Sequence, residues 1–214
     1  YRKVAVPVVL TNLLWSLATP IQTGILGHLS SDAIAANSVS TTMFQYLKVV
    51  TVSQASATSV SIGKMVGEGH GSRDYLRPYV RSLQILFLVM GLILGGILLA
   101  IRQPLLGLYA LSPSAMALAD RLLILMVIIF IGMAYQMPVS VGIIRGGGET
   151  KFNMYMNLIS TWAIVMPLSF AAAFWWKLPV FWVVLCLNSD QLFKCIPVAI
   201  YANSYRWIHV LTRK

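Results

Sequence analysis

The chain has 214 residues, 58% of them hydrophobic and 10% charged, with a net charge of +10 at pH 7. Soluble domains carry about 25% charged residues, so a large water-soluble core is excluded. The basic excess brackets apolar stretches, which points to lipid headgroups and not to nucleic acid.

A bilayer core of roughly 30 Å takes roughly 20 mostly apolar residues per helix. Six stretches meet this length: Val4–Leu26, Ala33–Ile62, Leu83–Ile101, Leu118–Ile144, Phe152–Trp176 and Phe181–Tyr205. They predict an all-α, polytopic membrane protein of six transmembrane helices, one domain over residues 1–214. The chain opens on Tyr1 and not on Met, and its first apolar run starts almost at once. We therefore expect a piece of a longer protein that lacks its N-terminal part. No cleavable signal sequence is seen.

Taken in order, the connections alternate in charge. Arg2 and Lys3 precede the first span, and the turn Gly27–Asp32 carries no Lys or Arg. Ser31 or Asp32 is placed to cap the second helix. That helix is long for a simple span and is expected to tilt or project. Lys64, Arg73, Arg77 and Arg81 crowd the second connection, whose Gly67–Ser72 lacks the GK[ST] ending of a phosphate loop and reads as a turn. Arg102 to Pro113 is expected to hold a short interfacial helix starting at Pro104, with Pro113 opening the next segment. Arg145 and Lys151 flank the fourth connection, and Arg206, Arg213 and Lys214 form the tail. The opposite side has only Arg102, Arg121 and Lys177. The positive-inside rule then places both termini in the cytoplasm. Trp175, Trp176 and Trp182 edge the Lys177–Pro179 turn as an aromatic belt would.

Function is sought where polarity enters the membrane. In the second span Asn37, Thr41, Gln45, Lys48, Thr51 and Ser59 fall within an arc of about 120° at 100° per residue, with Phe44 among them. Such a stripe faces either a partner helix or a water-filled cavity. Lys48 lies near mid-span, where an ammonium needs water or an anion. Asp190 and Lys194 share one face of the last span, four residues apart. Asp190 is the one carboxylate placed well inside the membrane. Asp190, Lys48 and Lys194 are expected to form a buried charge cluster lining a cavity, with a static salt bridge as the alternative. Gln22, Tyr135 and Gln136 are further cavity candidates, each beside a proline, while Asn153 and Asn157, one turn apart, are weaker ones. Pro20, Pro138, Pro167 and Pro197 are expected to bend their helices.

Cys186 and Cys195 show neither a disulfide framework nor zinc spacing. His28, His70 and His209 lie far apart, and no Ser/His/Asp set, HExxH or Walker sequence occurs. The chain reads as a non-enzyme without cofactor or metal. A transporter of this kind would be driven by an ion gradient.

These features resemble the multidrug and toxic compound extrusion (MATE) family over essentially the whole chain. The resemblance is carried by Ile25–Leu29 with Ala33–Asn37, by Ser61–Lys64 with Val66–Gly67, and by Tyr205–Trp207 with Leu211–Arg213. Its most specific match is Arg145-Gly146-Gly147-Gly148-Glu149-Thr150, similar to the family's RG-x-G-[DE]-T turn. The resemblance implies the C-terminal six-helix lobe of a twelve-helix MATE-type transporter. It implies an antiporter exporting drugs and organic cations, in exchange for sodium ions or protons, by alternating access in a bacterial inner membrane. Its partners would be the N-terminal lobe, membrane lipid and small organic substrates. One departure is visible: some branches carry a carboxylate within the first or fourth helix of this lobe, and here only Asp120 stands at one end of the fourth. Two other readings stay open. One is a lipid-linked oligosaccharide flippase of the same superfamily, and the other is a non-transporting membrane scaffold.

Overall fold

The structure, a computed structural model, describes residues 31–69 and 72–208, together with Val9, Asn12, Leu13, Ser16, Leu17, Pro20, Ile21 and Gly24. The first apolar stretch therefore lies mostly outside the described residues, as does Gln22. Five long helices follow: α1 (Ser31–Gly67), α2 (Arg73–Leu106), α3 (Pro113–Ile144), α4 (Lys151–Trp175) and α5 (Val180–Ser204). No strand occurs among the described residues, which hold one isolated bridge between Gly148 and Ile208. The helices α2 to α5 are each long and apolar enough to cross a membrane. α1 is longer still but is interrupted by Asn37, Gln45 and Lys48. At 1.5 Å per residue α1 reaches about 55 Å, well past a bilayer core.

α3 is the hub. Of its most apolar window 61% is buried, against 22% for α2 and 33% for α4 and α5. Leu122, Leu123, Leu125, Met126, Val127, Ile129 and Phe130 are all buried, so this helix packs over most of its circumference and leaves only a stripe through Ile124 and Ile128 exposed. The other helices leave Leu, Ile and Val facing outward, as lipid-facing surfaces do. Phe44 of α1 meets Phe130 of α3 edge-on, with ring centroids 6.1 Å apart. Gly91 of α2 lies so near α3 that an added Cβ would come within 2.8 Å of the Ala134 Cβ. Small residues of this kind let membrane helices approach closely.

Several boundaries differ from those expected. α2 starts at Arg73, so Arg73, Arg77 and Arg81 occupy its first turns and not a loop. Exposed cations suit a helix that projects beyond the apolar layer, and hydropathy alone does not see those turns. There is no separate interfacial helix starting at Pro104. α2 runs through Pro104 to Leu106 and ends at Gly107, because a proline lacks only one donor and the helix closes within a turn of it. Pro113 does open α3, and Ser112 caps it by accepting from the Ala115 N–H at 3.1 Å. Asp32 lies inside the first turn of α1, where it accepts hydroxyl protons from Ser112 and Ser114. It thereby ties α1 to α3. Nearby, Arg102 Nε donates to Asp120 at 2.8 Å and Gln103 Nε2 to the same oxygen at 3.1 Å.

The prolines change hydrogen-bond register. After Pro138, α3 widens to bonds five residues apart, ending with Arg145 N–H to Ser140 O at 3.1 Å. α4 widens over Leu158–Val165, tightens around Pro167, then widens again over Ala171–Trp175.

The most tightly built corner is the turn after α3. Gly148 has φ of +105°, a conformation that favours glycine. Gly147 lies beneath the Trp207 indole, on which any Cβ would collide, and Trp207 is fully buried with its Nε1 donating to Ala202 O at 2.8 Å. Glu149 then accepts from the Lys151 and Phe152 N–H groups at 2.9 and 3.2 Å, satisfying the start of α4.

Candidate functional site

A cavity of about 430 Å³ opens between the first apolar stretch, α3, α4 and α5. α3 contributes Gln136 and Ser140, with Arg145 just past its end; α4 contributes Asn153 and Asn157; α5 contributes Gln191 and Lys194. Asn12 and Ser16 line it from the first stretch. From Met133 to Arg145 the lining follows α3 for about 18 Å.

One hydrogen-bonded network runs through this wall. Lys194 Nζ donates to Asp190 Oδ2 at 2.8 Å and to Asn157 Oδ1 at 3.0 Å. Gln191 Nε2 donates to the same Asp190 oxygen at 3.0 Å, and Gln136 Nε2 donates to Gln191 Oε1 at 2.8 Å. Asn157 Nδ2 donates to Asn153 Oδ1 at 3.0 Å, and Ser140 Oγ donates to that oxygen at 3.1 Å. Asp190 is 8% and Lys194 5% exposed, so the ion pair is almost fully withdrawn from the surroundings. Two buried opposite charges offset each other's desolvation only when well paired and hydrogen-bonded, and here both conditions hold. The α-helical ladder of α5 is broken at Ser189, where the Ser189 and Leu192 N–H groups bond three residues back, while Lys194 N–H returns to Asp190 O, four back. Pro197 withholds the donor that Phe193 O would otherwise meet.

The sequence candidates divide. Asp190 and Lys194 form the expected pair, and Gln136 joins them. Tyr135 faces elsewhere: its hydroxyl donates to Gln84 of α2 at 2.9 Å. Lys48 is half-buried on α1 and is not among the cavity-lining residues, and neither are Asn37, Thr41 or Gln45. The stripe on α1 runs along the edge of its packing face. Thr51 and Phe44 are buried, whereas Gln45 is exposed. Met43 is buried, because the surface α1 lays on α3 is made of Ala36, Val39, Ser40 and Met43. Gln191, Ser140 and Arg145 were not foreseen. Gln191 adjoins Asp190 inside a span, and that polarity was the available signal. In the sequence Arg145 stands only as a cation of the fourth connection.

A helical membrane bundle with a polar, ion-paired interior chamber is the class that the fold and cavity define. The MatE family model matches residues 7–171, and the chain belongs to that family. Among curated proteins it is 26% identical over 172 residues to an uncharacterized transporter, YisQ, of Bacillus subtilis, covering 78% of this chain and 36% of that one. It is 27% identical over 149 residues to a probable multidrug resistance protein NorM of Halalkalibacterium halodurans, covering 70% and 32%. With the NorM of Thermotoga maritima the identity is 21% over 216 residues, covering 99% and 46%. Among solved structures, a mutant of the Vibrio cholerae MATE transporter VcmN superposes with a TM-score of 0.86 at 16% identity, over 98% of this chain and 47% of that one. The chain thus spans about a third to a half of the length of the relatives it matches. The fold and family are those of transporters.

Proposed function

We propose that the chain forms one lobe, the C-terminal one, of a secondary active antiporter. It exports drugs or organic cations in exchange for sodium ions or protons by alternating access. The observation that carries this reading is the buried Asp190–Lys194 pair, whose Lys194 lines a cavity between membrane-length helices. An ion arriving at Asp190 neutralises the one carboxylate of the network. The charges left facing the cavity are then Lys194 and Arg145, and a cationic substrate is repelled. Loss of the Asp190 contact also frees Lys194 and Gln191, which follow the break in α5 at Ser189. Ion entry and substrate release are coupled in that way. The orientation proposed is both ends of the chain in the cytoplasm, in a bacterial inner membrane. This follows from the gathering of Lys64, Arg73, Arg77, Arg81 and Arg145 at one end of the bundle.

A second reading is favoured by one feature: the charged residues lining the cavity, Arg145 and Lys194, are both cations. That suits the anionic substrate of a lipid-linked oligosaccharide flippase. Efflux of a fluorescent organic cation from cells carrying the complete gene tests both. The expected result is ion-gradient-driven export by wild type and at least tenfold slower export by Asp190→Asn at matched abundance. Export by wild type with a fully active Asp190→Asn places coupling outside this chamber. No cation movement under either gradient moves the flippase reading ahead.

A further inference from the structure

We infer that a separate recess between α2, α3 and the end of α5 binds the headgroup of an anionic phospholipid. This recess, about 420 Å³, is lined by Arg77, Arg81, Gln84, Ile85 and Leu88 of α2, with Tyr135, Asn203 and Tyr205 facing them. At 100° per residue the five α2 side chains fall on one face, within an arc of about 100°. Their order along the helix is two guanidiniums, then an amide, then two aliphatic chains. A diacyl phospholipid presents phosphate, glycerol ester and acyl chain in that order, over a comparable length of about 16 Å.

The recess is prepared for an anion. Both arginines are exposed, and no carboxylate lies within ion-pair distance of either among the described residues. Gln84 is held in place: its carbonyl accepts from the Tyr135 hydroxyl at 2.9 Å and its amide donates to Asn203 Oδ1 at 3.4 Å. Tyr205, with φ of +57°, is covered on its ring by the Arg73 guanidinium at 5.3 Å, which fixes the rim. Below the arginines Ile85 is 57% and Leu88 44% exposed, the surface along which an acyl chain lies. A free phosphate satisfies the arginines but leaves this apolar continuation bare, so the occupant is the lipid. Basic recesses at the edge of a membrane domain commonly recruit anionic headgroups.

Native mass spectrometry of the purified, delipidated protein titrated with dioleoyl phosphatidylglycerol or dioleoyl phosphatidylethanolamine tests the site. Wild type is expected to retain one phosphatidylglycerol in preference to phosphatidylethanolamine. Arg77→Gln with Arg81→Gln should bind it about thirtyfold more weakly. Arg121→Gln, which removes an exposed cation at the other end of the bundle, should leave binding unchanged, and Arg77→Lys with Arg81→Lys should keep most of it. Equal retention of the two lipids by wild type, or undiminished binding by the double Gln variant, overturns the proposal. So does retention of glycerol 3-phosphate as tightly as of the lipid. None of these readouts depends on transport.

Discussion

Two regions share the last turns of α3 and are built on opposite principles. The turn Gly146–Gly148 is closed by shape. Trp207 fills the space where a Gly147 side chain would stand, and Gly146 presses on the α1 backbone at Ser59. A few residues earlier, Ser140 and Arg145 face a cavity whose walls are joined by exchangeable hydrogen bonds. Shape complementarity gives one arrangement and strong penalties for change. A network of amides around an ion pair gives several arrangements of similar energy, and proteins that alternate between states draw their moving parts from such places. The locked turn anchors α1, α3, α4 and the end of α5 together, while the chamber leaves α5 free to adjust.

The contrast is broken most severely at the ion pair. Asp190→Ala leaves the Lys194 ammonium buried without its carboxylate and should cost about 3–5 kcal/mol, read as a lowered thermal midpoint in detergent. Asp190→Leu with Lys194→Leu should return near wild-type stability while remaining inactive in efflux. A double variant as unstable as the single one shows that the pair itself holds the three helices. Next comes the turn: Gly147→Ala should cost about 2–3 kcal/mol by overpacking. Combining it with Trp207→Leu should give a clearly non-additive loss, because both changes act on one contact. Ser112→Ala removes the cap of α3 and should cost about 1 kcal/mol. The smallest effect is expected at Arg102→Gln, under about 1 kcal/mol and weaker still in high salt, since its bridge to Asp120 is partly exposed.

Sequence reading went far with the fold. Apolar length and the spacing of cations give α2 to α5 directly, because an apolar helix and its charged edges are local properties. It failed where helices outrun the apolar layer, as at Arg73–Arg81, and at Pro104, where one missing donor did not decide the boundary. Within the site, Asp190 and Lys194 were legible because an i, i+4 pair of charges in a span is a one-helix feature. Gln136 was found by its intramembrane polarity. Which candidates pair was harder to see: Asn157, on α4, reaches Lys194 of α5, and Tyr135, equally polar and adjacent to Gln136, turns to Gln84 instead. One residue's difference on a helix rotates a side chain by about 100°, so neighbours in sequence serve different surfaces.

The sequence by itself determined that this is a helical membrane protein, where its charges gather, and that its family turn is Arg145–Thr150. Those features depend on composition and on contacts within one helix or one turn. Only the tertiary structure decided that Gly147 exists to receive Trp207, that Lys48 is not among the residues lining the cavity that receives Lys194, and that seven polar side chains of three helices join in one network. Those facts depend on how helices rotate and cross. In an apolar solvent that rotation is set by close packing and by the pairing of buried polar groups, neither of which is written along a single helix.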